Sequence, residues 1–244
     1  GTNKFVAITT STTTPTYSSS DGITWTAGST SFASAGKSIA TNGSGTWVVG
    51  TNGAYVYSST DGSTWTQRSL SGATNAQFVV YTGGYFFAGG SNCAYYSSDG
   101  ITWTNTYPTW GSALGGIIVL NGKIFSVLSS TSSSAYVMDN ARVAAVSVKF
   151  RGNSPGGGIY AGAYGNGVYV LTGAGGTANG NGNVYYSTDG VTFFAAKIPQ
   201  TGNNNNPILS AVVYANNKFM GFSYDGVLYT STDGKTWTIT QVAY

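Results

Sequence analysis

The chain contains no histidine and no glutamate, and its seven acidic residues are all aspartates. Without His or Glu, a Ser-His-Asp triad and most transition-metal sites have no ligands or bases to draw on. Cys93 is the single cysteine, which excludes an internal disulfide and a cysteine-based metal cluster. It reads as a small hydrophobe opening a strand. Charged residues make up only 7% of 244 positions, and the net charge of +3 comes from ten scattered basic residues. Only Lys149-Phe150-Arg151 brings two of them close together, too little for a nucleic-acid footprint. No apolar run approaches the roughly 18 residues of a membrane span, so no membrane insertion is expected. No amphipathic helical period of useful length is present either. The chain begins at Gly1 without Met or a signal peptide, as expected of a processed chain or part of a larger polypeptide.

What the chain has in abundance is Gly, Ser, Thr, Asn and aromatics, the composition of short strands joined by tight turns. It also has a repeat. Tyr57-Ser58-Ser59-Thr60-Asp61-Gly62-Ser63-Thr64-Trp65 returns with small changes around Asp21, Asp99, Asp189 and Asp233. A degraded copy stands at Asp139-Asn140, with Val143 where the others carry Trp or Phe. The Asp-to-Asp steps are then 40, 38, 40, 50 and 44 residues, a period that signals a propeller or solenoid. The sixth unit shows the internal order most clearly. Leu209 to Tyr214 reads as a strand, Asn216-Asn217 as a turn, and Lys218 to Phe222 as a second strand. Asp225-Gly226 then turns into Val227 to Ser231, and Asp233-Gly234 turns into Thr236 to Ile239. Gly83-Gly84, Asn121-Gly122 and Asn166-Gly167 match the first of these turns, being dipeptides that accept positive φ. Four-stranded meanders repeated six times predict an all-β, six-bladed β-propeller, a single domain over residues 1–244. The seam is abbreviated. The innermost strand of blade one is absent unless Gln241 to Tyr244 doubles for it or upstream residues of a longer protein complete it.

The motif resembles the Asp-box, or BNR, repeat of sialidases and many other propellers, with Asp and Gly adjacent here rather than separated by one residue. The carboxylates of Asp21, Asp61, Asp99, Asp189 and Asp233 are placed to accept backbone N–H groups two and three residues on, with Gly supplying the unusual dihedral. The ring four residues later (Trp25, Trp65, Trp103, Phe193 and Trp237) is placed to pack between neighbouring blades. The resemblance implies that this turn joins the third and fourth strands on the outer rim, away from the ligand-binding face. A catalytic sialidase would also need a Glu to activate its nucleophile and inward arginines. The absent Glu leaves a degenerate sialidase-like glycosidase as a remote reading.

Six acids sit in the motif and Asp225 sits in a hairpin turn, so no carboxylate pair remains for glycoside hydrolysis. No Ca²⁺ ligand loop of suitable spacing is visible, no cofactor or metal is expected, and the chain reads as a non-enzyme. Binding is then expected in the loops that exceed what a turn requires. These carry the candidate ligand residues Asn105, Tyr107 and Trp110 near blades three and four, and Asn179, Asn181 and Asn204 on either side of the fifth motif. Amide and hydroxyl groups with an aromatic face suit sugar hydroxyls. Trp110 reads first as a plug between blades three and four, and as a ligand platform second. The composition and the form of the motif resemble propellers of phage tails, virion surfaces and bacterial exported proteins. That resemblance implies an extracellular or virion-surface module contacting glycans or a neighbouring structural protein. The alternative is an assembly scaffold docking a protein through a charged face, for which Lys149, Arg151 and Arg142 would have to cluster.

Overall fold

A computed structural model describes residues 4–91, 93–105, 114–128, 135–138, 146–151, 158–173, 184–199, 207–224 and 226–240. The fold is an all-β, six-bladed β-propeller in which each sheet is built on a meander of sequential antiparallel strands, with one added parallel strand in the fifth. The first sheet holds β1 (Phe5–Ile8), β2 (Thr16–Ser19) and β3 (Thr26–Ala27). The second holds β4 (Gly36–Thr41), β5 (Trp47–Thr51), β6 (Tyr55–Ser59) and β7 (Thr66–Ser69). The third holds β8 (Phe78–Thr82), β9 (Tyr85–Gly90), β10 (Cys93–Ser97) and β11 (Thr104–Asn105). The fourth comprises β12 (Leu114–Leu120), β13 (Lys123–Leu128), β14 (Ala135–Met138) and β15 (Val146–Ser147). A short strand, β16 (Lys149–Arg151), precedes β17 (Ile159–Gly165), β18 (Val168–Gly173), β19 (Val184–Ser187) and β20 (Thr192–Ala195) of the fifth. The sixth holds β21 (Leu209–Ala215), β22 (Lys218–Ser223), β23 (Leu228–Ser231) and β24 (Thr238–Thr240). Two compact units divide these sheets, the first three in one and the last three in the other.

The two-residue turns between the first and second strands follow from their residue types. Gly83 and Gly84, Asn121 and Gly122, Asn166 and Gly167, and Asn216 and Asn217 all take positive φ, between 48° and 83°. That is the twist-matched hairpin geometry which only Gly and Asn adopt readily. Two sheets depart from four antiparallel strands. The first has three among the described residues, and Gln241 to Tyr244, a candidate for the fourth, lie outside them. The fifth has five, because β16 adds in parallel to the outer strand β20.

Within each unit the core lies between successive sheets. Phe32, Val49, Tyr57 and Trp65 pack between the first and second, and Val48, Val56, Phe86 and Tyr95 between the second and third. In the other unit, Phe125, Leu171, Tyr185 and Phe193 join the fourth and fifth, and Val170, Leu209, Phe219 and Trp237 the fifth and sixth. Cys93 opens β10 in this core, buried, with its thiol donating to Asn75 O at 2.8 Å. Burial pushes that thiol up to about 11. Val146, on β15, is exposed, whereas Val148 beside it is buried. Among the described residues no helix is long and apolar enough to cross a membrane.

Candidate functional site

The antiparallel order gives every blade two ends. The motif turns and the hairpins between first and second strands share one end. The hairpins between second and third strands and the links between blades share the other. The two ends differ in chemistry, and the difference starts with the aspartates.

All five described motif aspartates make the same bonds. In the second blade Ser59 Oγ donates to Asp61 Oδ1 at 2.9 Å and accepts from Gly62 N at 2.8 Å. The same Oδ1 accepts from Ser63 N and Thr64 N, both at 2.7 Å. Asp21, Asp99, Asp189 and Asp233 repeat the pattern, each accepting from the amides two and three residues on and from its serine. Donors aimed at the ionised form favour it. For Asp61 partial burial works the other way, yet the Thr64 and Ser63 amides and the Ser59 hydroxyl win and lower it to about 2. Exposed Asp21 is held well below the usual carboxylate range by the Ile23 and Thr24 amides. Asp99, Asp189 and Asp233 are lowered by the same amides against the same burial. Such carboxylates stay ionised and engaged at neutral pH, unlike the raised carboxyl that acid catalysis needs.

The glycine beside each aspartate does two things. It takes φ between 69° and 76°, and in four blades it also meets the preceding blade closely. A Cβ at Gly62 would stand 2.7 Å from Val6 Cγ2, at Gly100 2.9 Å from Val48 Cγ2, at Gly190 2.9 Å from Lys123 Cδ, and at Gly234 2.9 Å from Val170 Cγ2. Gly22 has no such neighbour, its nearest atom being Phe5 Cε2 of its own sheet at 3.7 Å. The aromatic residues follow suit. Trp65, Phe193 and Trp237 are buried against the preceding sheet, and Trp103 packs against the core of the second and third sheets. Trp25 does not conform to the expected packing. It is 41% exposed, its indole N–H donating to Gly22 O.

Beside the second motif opens a shallow depression of about 400 Å³, lined by Thr46, Ser58, Asp61, Thr66, Arg68 and Asp99 among others. Arg68 Nε donates to Ser58 Oγ at 2.9 Å there. The sixth blade has a counterpart of about 370 Å³, lined by Lys218, Thr230, Asp233, Thr236 and Thr238. The sequence signals neither, because both form where a motif turn meets an outer strand. Among the described residues no cluster of three His, Cys, Asp or Glu could hold a metal ion.

At the opposite end of the first three blades, the loops over residues 9–15, 28–35, 52–54 and 70–77 contain no charged residue. They are cross-linked by neutral groups. Ser31 Oγ donates to Thr13 O, Gln77 Nε2 donates to Asn52 Oδ1 at 3.0 Å, and Asn75 Nδ2 donates to Ser91 Oγ at 3.0 Å. Of the expected ligand residues, Asn105 is exposed on β11, opposite Tyr95. Tyr107, Trp110, Asn179, Asn181 and Asn204 lie outside the described residues, as do Asp139 and Arg142. Lys149 and Arg151 are exposed and share one face of β16, a strand that sequence reading missed.

No protein-family model matches the chain, and no curated protein is significantly similar to it in sequence. Solved propellers are similar in fold. A GH74 xyloglucanase from Xanthomonas campestris superposes with a TM-score of 0.63 at 18% identity, over 99% of this chain and 44% of the enzyme. PorZ, a surface component of the type-IX secretion system of Porphyromonas gingivalis, gives 0.64 at 16% identity, over 99% of this chain and 39% of its own. YCF48 bound to a D1 peptide gives 0.57 at 12% identity, over 97% of this chain and 69% of its own. The chain thus spans less than half the length of the first two, and at these identities the likeness is one of fold.

Proposed function

We propose that the chain is a non-enzymatic binding module of a virion or cell surface, built on a variant Asp-box repeat. Its loop end contacts a glycan or a neighbouring structural protein. One observation carries this reading: the described motif carboxylates are held inside turns at one end of their blades, while the loops at the opposite end of the first three blades hold no charged residue and are cross-linked by hydroxyl and amide groups. Convergent neutral donors and acceptors recognise a polyhydroxylated ligand without an ionic contribution. Tyr107 and Trp110 would supply the stacking face. The likeness to a xyloglucanase is one of fold at 18% identity and does not carry its activity over: hydrolysis needs two carboxyl groups flanking the bond, whereas each described aspartate is held by the amides of its own turn.

A second reading, a scaffold that docks a protein, is favoured by the shared exposed face of Lys149 and Arg151 and by the peptide-bound propeller among the similar folds. A glycan array probed with the chain and with a Tyr107→Ala, Trp110→Ala variant separates the two. Binding that disappears in the variant supports the glycan reading, and a blank array supports a protein contact. Hydrolysis of any arrayed glycan would overturn the non-enzymatic reading.

A further inference from the structure

β16 contributes a strand that the repeat does not require. It pairs with β20 so that Lys149 stands opposite Thr192, Phe150 opposite Phe193 and Arg151 opposite Phe194. Side chains alternate along a strand. Phe150 therefore points inward, its ring 5.0 Å from that of Tyr185 and 6.0 Å from that of Phe193. Lys149 and Arg151 point the other way, both exposed.

On that outer face Tyr186, Phe194 and Arg151 form one row, since Tyr186 pairs with Phe194 and Phe194 with Arg151. At just under 5 Å per strand, the row spans roughly 10 Å. Phe194 is 45% exposed and its ring stacks on Tyr186 at 5.7 Å. From the sixth blade, Lys235 Nζ stands 5.6 Å from the centre of the Tyr186 ring. Lys197, exposed, is tied to the same turn through its backbone, Lys197 N to Lys235 O at 2.7 Å and Trp237 N to Lys197 O at 2.9 Å. Asp189 and Asp233 are the nearby acids, and each carboxylate is held by its own turn. This side of the sheet therefore carries Lys149 and Arg151 on the strand beside Phe194, with Lys235 standing near the Tyr186 ring.

Cations on an edge strand ordinarily guard against pairing with a like strand. The same charges select a strand of opposite charge. Among the described residues β16 is the terminal strand of its sheet, the kind of edge to which an extended segment adds. We propose that this edge binds an extended peptide segment of a protein partner in which acidic and apolar residues alternate. Its carboxylates would meet Lys149 and Arg151 on one face, and its apolar side chains would continue the row of Phe150 on the other. This deepens the protein-docking reading, and its probe is a peptide rather than a sugar, so the glycan array and the test below fail independently.

The probe is a fluorescein-labelled (Glu-Val)5 peptide followed by fluorescence anisotropy, with (Lys-Val)5 as charge control. Binding of (Glu-Val)5 that weakens with salt is expected, reduced about tenfold in a Lys149→Glu, Arg151→Glu variant and unchanged in Lys37→Glu. Circular dichroism and the urea midpoint establish that the variants are folded, with Arg151→Gln as the milder substitute if the double variant is not. Equal affinity in the charge-reversed variant, equal binding of (Lys-Val)5, or binding of heparin but not of the peptide would overturn the proposal.

Discussion

Gly84 and Gly100 both belong to the third blade and both hold a left-handed backbone, φ 83° and 74°, but only one is crowded. A methyl at Gly84 would meet nothing within 4 Å. At Gly100 it would stand 2.9 Å from Val48 Cγ2, 3.2 Å from Thr46 Cγ2 and 3.5 Å from Phe86 Cε2. Val48 is buried and β-branched, so its χ1 has little freedom to shift. Gly84→Ala therefore carries the dihedral penalty alone, about 1–2 kcal/mol. Gly100→Ala adds overpacking of about 1–3 kcal/mol. Urea denaturation at pH 7, followed by tryptophan fluorescence, measures both against the parent chain. A larger loss at Gly100 by more than about 1 kcal/mol is expected. Equal losses would refute the idea that the motif glycine is a packing surface between blades as well as a turn residue.

The motif aromatics give a second contrast. Trp237→Ala, at a site 2% exposed, should cost about 3–5 kcal/mol, and Trp25→Ala about 1 kcal/mol, both read from urea midpoints. Cys93, buried and with its thiol pushed up to about 11, should stay unlabelled by a thiol reagent at pH 8 in the folded chain and react fully in urea. The pH dependence has a defined sign. Asp61, lowered to about 2 in the folded chain against about 3.9 unfolded, contributes stability that is complete above the unfolded value and lost as pH falls through the folded one. With no His or Glu to titrate, the urea midpoint should be flat from about pH 5 to 7 and fall between about pH 4 and 2.

The parts of the fold that are local were legible. A two-residue Asn-Gly turn or a Ser-x-Asp-Gly turn takes its geometry from its own residues, so the meanders and the capped aspartates can be read from sequence. What depends on a distant partner could not be read. β16 is a three-residue strand whose only mark is the alternation Lys149-Phe150-Arg151, and its partner β20 lies some forty residues on. The exposure of Trp25 has no local signal either, since its motif matches the others. The depression beside Arg68 arises where a turn meets an outer strand and carries no motif of its own. Of the loop residues expected to bind ligand, Asn105 is placed on the exposed edge of the third blade, away from any charged group of its own strand.

The most direct measurement is an NMR titration of the aspartate carboxylates, following their side-chain ¹³C shifts from pH 7 to pH 2. If the motif carboxylates are turn anchors, Asp21, Asp61, Asp99, Asp189 and Asp233 all titrate below the ordinary value of about 3.9. A motif aspartate titrating above about 5 would be a carboxyl free to exchange protons near neutrality, and would contradict the structural role given to the repeat.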